Sequence, residues 1–456
     1  NSATFDEKVF FDADYSPIPF LTLDNNEDYT QISEELRLTS PPGEFEFVAG
    51  LFYFYSKIEA DYIVTNFLNT AELLGITGGA ELRFVCTLPL APPGCQNAVL
   101  NASAAGTTAA LGAQARQNLT GTPALDASDT QFNQTQNSYA IFGQATWNAT
   151  ERWAVTFGLR FTYEEKELQA SRQVFNFATG GTGNAGPGNP LGSVTFPLIQ
   201  TGSVPFNRDL SRTEFDVSPK LVIEYRLNDD IMSYLNIARG FKGGGYNAQA
   251  LTPGELEFDP EKSTTFETGL KSEFLQGAAR LNVSAFFTEY DDFQTTAFNG
   301  TGFTIANADA RIYGAEFEAM MVPALGFILQ LSGSYIHGEF TNFTNGPCPS
   351  ELPAAQQDGS ISGSCDLTGF RLTSSPDFTV TFTAGMNKQV FNLPFRTLAS
   401  LTVSYFTETI GATDNDPLDN RDPYVFLRGA VGVQSLDDWW QVMLHLENLT
   451  NLQEKL

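Results

Sequence analysis

No run of about 18 apolar residues occurs anywhere in the chain, so none of it can cross a bilayer as a helix. Strands are not excluded by the same test, because an apolar face alternating with a polar one averages to a bland hydropathy. Basic residues are scarce: 25 Lys and Arg stand against 53 Asp and Glu, a net charge of −28. A chain so acidic has no basic footprint for a phosphate backbone, which excludes nucleic acid as partner. Histidine is scarcer still. His337 and His445 lie far apart, neither with a His, Cys or carboxylate grouping at ligand or triad spacing, so the sequence offers no catalytic residue, no metal site and no cofactor site. An enzyme would need paired carboxylates or a comparable constellation, and none is found. The opening Asn1-Ser2-Ala3-Thr4 has no initiator Met, basic n-region or apolar h-region, so the expectation is that an export signal was removed or lies outside these residues. No break in pattern marks a linker, and one continuous architecture is expected.

What the chain has is aromatics, with 39 Phe and 15 Tyr, and a period of two. Ser263–Phe274, 277–291 and Phe303–Glu318 read as three consecutive amphipathic strands. In Leu281 to Thr288 the residues Leu281, Val283, Ala285 and Phe287 share one face, and Asn282, Ser284 and Thr288 the other. The same parity makes Leu159, Phe161, Leu329, Leu331, Val403 and Val431 lipid-facing. It puts Arg160, Glu164, Lys220, Glu224, Arg226, Asn282, Gln330, Arg428, His445 and Glu447 on a wet, lumen-facing side. Charges of both signs on a covered face without partners are too costly for a soluble sandwich. The fold class is therefore all-β, an antiparallel transmembrane β-barrel with about 14 to 15 strands present.

In chain order, residues 1–28 are an unassigned barrel or loop segment with a strand expected near Val9-Phe10-Phe11, and residues 29–456 are barrel. Strands expected at 29–38 and 44–62 flank a turn at Ser40-Pro41-Pro42-Gly43. Short turns alternate with large outer loops at 63–136, 170–211, 242–262, 342–369 and 407–422, the first with a short helix expected near Ala109 to Asn118. A strand is expected over Phe370–Asn387. The Gly-rich run at 180–189 lacks the flanking strand and helix of a phosphate cradle. Asp414, Asp416, Asp419 and Asp422 lack the Gly and Glu of a calcium-binding loop and read as a solvated acidic loop. The four cysteines allow three pairings; the local one, Cys86 with Cys95 and Cys348 with Cys365, closes the shortest loops and implies an oxidising compartment.

Phe258 to Lys271, with Asp259-Pro260-Glu261-Lys262-Ser263 at its head, resembles the strand-opening signature of TonB-dependent outer-membrane receptors. Asn307-Ala308-Asp309-Ala310-Arg311-Ile312-Tyr313-Gly314-Ala315-Glu316-Phe317-Glu318 is similar to the strand that follows it. Ser218-Pro219-Lys220-Leu221, Ala238 to Tyr246 and Leu446-Glu447-Asn448-Leu449-Thr450-Asn451 also match, in the family's order. The resemblance implies a barrel of the 22-strand type around an N-terminal plug, with a segment ahead of the plug that engages a TonB-type energy-coupling protein. The plug, that segment and a terminal strand are expected beyond these residues. It also implies a Gram-negative outer-membrane location among lipid and lipopolysaccharide, and uptake of a scarce small-molecule or oligosaccharide substrate, such as an iron-siderophore, cobalamin or glycan. A passive diffusion porin is the alternative. On the receptor reading the ligand loops carry Lys242 and Tyr246, with Tyr290, Phe293 and Tyr424 near the rim.

Overall fold

The structure is a computed structural model that describes residues 2–12, 21–68, 124–176, 181–182, 205–298, 303–349, 358–359 and 364–452. It contains β1 (Ser2–Asp12), β2 (Leu21–Thr39), β3 (Phe45–Leu68), β4 (Ala124–Asn148), β5 (Trp153–Asn176), the two-residue β6 (Gly181–Thr182), β7 (Phe206–Arg226) and β8 (Ile231–Lys242). After these come the short β9 (Gly245–Tyr246) and β10 (Glu257–Phe258), then β11 (Glu261–Phe274), β12 (Ala279–Phe298), β13 (Phe303–Met321) and β14 (Phe327–Asn342). β15 (Phe378–Lys388), β16 (Phe395–Phe406), β17 (Tyr424–Ser435) and β18 (Gln441–Leu446) complete the order. All but β9 and β10 belong to one 16-stranded antiparallel sheet in which each long strand pairs with the next long strand in the chain. Among the described residues β1 and β18 are its edges.

Connections differ at the two ends of the sheet. Residues 40–44, 149–152, 227–230, 275–278, 322–326, 389–394 and 436–440 make short turns at one end, while β8, β14 and β16 run into the longer connections 243–260, 343–377 and 407–423 at the other, where the strand ends flanking 69–123 and 177–205 also lie. Leu275 and Gln276 have φ of 54° and 59°, and Phe391 and Asn392 have 55° and 54°. Two successive positive-φ residues twist a hairpin in the sense its strands need.

Register carries one face unbroken across the sheet. Tyr53 pairs with Tyr139, Tyr139 with Tyr163 and Tyr163 with Phe215, a row of rings on neighbouring strands. Nearer the short turns Phe45 stacks on Trp147 at 6.1 Å, and Trp153 meets Tyr225 at 4.4 Å with the rings tilted by 37°. Between the rows this face bears exposed Leu51, Ile141 and Phe157. From Trp153 to Tyr163 is about 33 Å of extended chain at about 3.3 Å per residue. A tilt of about 40° shortens it to about 25 Å, the height of a lipid-facing band edged by aromatic girdles. An apolar surface of this extent is satisfied only by a membrane.

Strand lengths depart from the sequence expectation. Within residues 1–28, which the sequence left unassigned, Ser2–Asp12 form β1 and Leu21 begins β2. The loops expected over 63–136 and 170–211 are shorter, because β3 runs on to Leu68, β4 starts at Ala124, β5 reaches Asn176 and β7 starts at Phe206. Beyond the aromatic row the polarity of the two faces exchanges. On β5, Glu165, Glu167 and Gln169 now take the formerly apolar face, while Leu168 and Ala170 are buried on the other. A pattern that changes phase within one strand reads as irregular. The strand expected over Phe370–Asn387 begins only at Phe378, since Ser374 is left-handed at φ 65° and Pro376 offers no N–H to a neighbouring strand. Cys348 and Cys365 are disulfide-bonded across 17 residues. Cys86 and Cys95, the helix expected near Ala109 to Asn118, and most of the Gly-rich run lie outside the described residues.

Candidate functional site

The face opposite the apolar band is polar. Cross-strand pairing puts Lys220 beside Gly158 and Ala238, and Glu224 beside Ala154 and Tyr234, so these residues share the face of Arg160, Glu164 and Arg226. By the same pairing Asn282, Gln330, Arg428 and His445 fall on it further along the sheet, with Glu447 just past β18. They are spread from β5 to β18 and do not converge. Arg160 lies over the rings of Phe52, at 5.2 Å, and Phe142, at 5.8 Å. Asn282 donates to Glu318 at 3.4 Å, within an open groove of about 490 Å³ also lined by Tyr234, Lys271, Glu316 and Ser332. A hydrated wall of both signs is the form in which charge is tolerated at membrane depth.

Two connections fold onto this face at the long-loop end. The first is residues 243–260, where β9 pairs with β10 and a 3-10 turn spans Pro253–Glu255. Its Tyr246, Ala250 and Leu256 pack against Phe132, Leu168, Ala170 and Phe206 of the wall. That explains the exchange of polarity: above the membrane band the outer face meets water or headgroups and the inner face meets this strap. Charged groups pin the strap through its backbone. Lys166 donates to Gly244 O at 2.5 Å and pairs with Glu164 at 3.1 Å. Arg212 donates to Phe258 O at 2.7 Å and pairs with Glu214 at 2.6 Å, and Glu214 accepts from Gly244 N at 3.1 Å. Arg172 donates to Ala250 O at 3.0 Å and to Ser128 Oγ at 2.9 Å. A Cβ at Gly243 or Gly244 would overlap these side chains, so the glycines permit the close approach. Tyr246 does not stand at a loop tip as expected; it is 6 % exposed, and burial with the nearby Glu257 pushes its hydroxyl up to about 12.

The second lies within residues 343–377, of which 343–349, 358–359 and 364–377 are described, with Cys348 and Cys365 joined by the disulfide. Phe343, Cys365 and Leu367 pack on Ala308, Ala310 and Phe340, with Tyr290, Phe293 and Leu372 around them. Tyr290 and Phe293 meet edge to face at 5.4 Å across the bulge in β12. The strand backbone receives the loop: Phe340 N donates to Phe370 O at 2.9 Å and Leu372 N to Gly338 O at 2.8 Å. Residues 407–423 close over it, with Ser374 N donating to Ile410 O at 2.9 Å and Thr413 Oγ to Thr296 O at 2.8 Å. Between them is a cavity of about 310 Å³ lined by Phe293, Thr295, Ile312, Ile336, Phe340 and Leu372, among others. Tyr424 stacks on Phe406 at 4.8 Å, and Lys242 is exposed at the end of β8, 4.0 Å from Glu261. The strap's anchors Lys166, Arg172, Arg212 and Glu214 were not among the sequence candidates. Their signal was available: Lys166 and Arg172 on β5 bracket Leu168 and Ala170 on one face, and Arg212 and Glu214 alternate on β7.

In residues 407–423 Asp416 caps the 3-10 turn by accepting from Leu418 N at 2.8 Å, and Asp414 accepts from Asp416 N at 3.3 Å. Burial first, then the charges of Asp419 and Asp416, hold the Asp414 carboxyl above its ordinary range. A value raised in the folded loop gives stability that is complete below the unfolded-state value and lost as pH rises through the folded one. Asp414→Asn keeps the acceptor and removes the charge, so at neutral pH it is expected to slow amide exchange across residues 415–419, and at pH 3 to leave it unchanged.

The family model for TonB dependent receptor-like β-barrels matches residues 4–449. The pesticin receptor of Yersinia enterocolitica is 28% identical over 211 residues, 46% of this chain and 27% of that protein. Among solved structures, the ferric yersiniabactin uptake receptor FyuA from Yersinia pestis superposes with a TM-score of 0.67 at 17% identity, over 99% of this chain and 53% of that one. The siderophore receptor PiuA from Acinetobacter baumannii gives 0.58 at 15% identity, over 95% and 54%. The chain thus spans about half the length of these structures. One sheet with a lipid-facing band, short turns at one end and inward-folded loops at the other, matched over nearly its whole length by that family model, belongs to the TonB-dependent receptor β-barrel family of the Gram-negative outer membrane.

Proposed function

We propose that the protein is an energy-coupled outer-membrane receptor that captures a scarce nutrient, a metal chelate of the siderophore kind, and passes it inward without covalent chemistry. The observation that carries this reading is the pair of connections folded onto the polar face. A receptor needs a shaped outer surface and a wall that can release what it binds, and the two connections give the long-loop end of the polar face such a surface. The relatives support the cargo class by what their names say they bind: ferric yersiniabactin for one, siderophores for another. On this reading the spread of inner-wall charges, Lys220, Glu224 and Arg226 among them, holds a plug or lines the path it opens, and a TonB-type protein supplies the energy.

The test is uptake of ferric chelates by cells carrying the full-length protein, with and without the energy-coupling system. Uptake is expected to fall to background without coupling. Equal uptake in both strains would make the protein a porin. Neutralising Lys220, Glu224 and Arg226 together is expected to lower uptake while leaving binding to whole cells intact.

A further inference from the structure

Resting on the receptor reading, we infer that the cavity between residues 343–377 and 407–423 seats an uncharged, partly aromatic portion of the ligand and rejects anionic groups. Its floor is the polar face of β12 to β14, where Phe293, Ile312, Ile336 and Phe340 supply an apolar surface, and Leu372 closes one side. Gly338 makes this possible, because a Cβ there would run into the Leu372 side chain that it seats. Thr295, Thr373, Ser375 and Thr413 line the rest; the Thr413 hydroxyl already donates to Thr296 O and can only accept, and hydroxyl residues of this kind suit a neutral hydrogen-bonding group.

Charge decides the class. Among the described residues no Lys, Arg or His lines the cavity, and the one charged liner is a carboxylate, Asp377. The neighbouring cation is engaged: Arg371 donates to Asp377 at 2.7 Å, with His337 on the other oxygen at 3.3 Å. An anion entering here would lose its water without gaining a counter-charge, a cost that a neutral ring does not bear. At about 310 Å³ the space is at the small end of ligand pockets. It fits one ring and its substituent, so it takes one arm of a chelate and leaves the metal centre outside.

Benzamide and benzoate share size and ring and differ in charge, and serve as probes. Saturation-transfer NMR on the full-length protein in nanodiscs is expected to show benzamide binding, with benzoate weaker by about tenfold or more because its charge is unmatched. Ile336→Trp fills the cavity and is expected to weaken benzamide by at least about tenfold. Should that wall variant fail to insert, Thr373→Trp fills the same space from the loop. Benzoate binding as well as benzamide, neither probe binding, or benzamide binding unchanged in the filled variant would each overturn the inference. Energy-coupled uptake in the unaltered protein is measured separately, so its loss would count against the receptor reading and not against the cavity.

Discussion

Val283→Arg is expected to cost about 2 to 4 kcal/mol of folding free energy in a bilayer, while Asn282→Arg, one residue away, costs less than about 1 kcal/mol. Val283 projects 38% exposed from the apolar face of β12, beside Leu270 on one neighbour and Phe317 on the other. An Arg there must snorkel or draw water into hydrocarbon. Asn282 faces the polar groove, where it already donates to Glu318 and where Glu316 lies close by, so an Arg gains partners. Urea titration of both variants in lipid measures the difference. Equal costs would mean that both faces of β12 meet the same environment, which no lipid-facing wall allows.

Arg212→Ala is expected to be the most damaging single change at the mouth, destabilising the strap locally by about 3 to 5 kcal/mol. The Arg212 side chain is 14% exposed and that of its partner Glu214 10%. Removal leaves a buried carboxylate without its counter-ion and takes the donor from Phe258 O. Hydrogen exchange at residues 244–256 is expected to speed up by two orders of magnitude or more, about 10²-fold for each 2.7 kcal/mol, while the wall amides of β4 and β5 keep their protection. Arg212→Lys retains charge but not the planar fork, so an intermediate effect is expected. Unchanged exchange in the strap would show that apolar packing of Tyr246 and Leu256 alone holds it.

Much of this was legible in the chain. Alternation over Leu281 to Thr288 identified β12 and its two faces, because a strand displays successive residues on opposite sides whatever its neighbours are. Parity then assigned Leu159 and Arg160, or Val283 and Asn282, to opposite faces, and pairing along the sheet carries that assignment from β2 to β18. The turns at Leu275-Gln276 and Ser40 to Gly43 were equally local. What the sequence could not disclose was everything that depends on a distant segment coming to rest on the wall. Leu168, Ala170 and Phe206 look out of phase until residues 246–256 cover them, so β5 was ended too early, β7 was started too late, and the loop between them was drawn too long. Tyr246 was expected at a ligand-loop tip, yet Gly243 and Gly244 let the backbone lie close enough for Lys166 and Arg212 to hold it. Periodicity is set by backbone geometry and is read residue by residue. Which face is dry, which charge is matched and where a cavity remains are set by contacts 30 to 117 residues apart along the chain, and only the folded wall decides them.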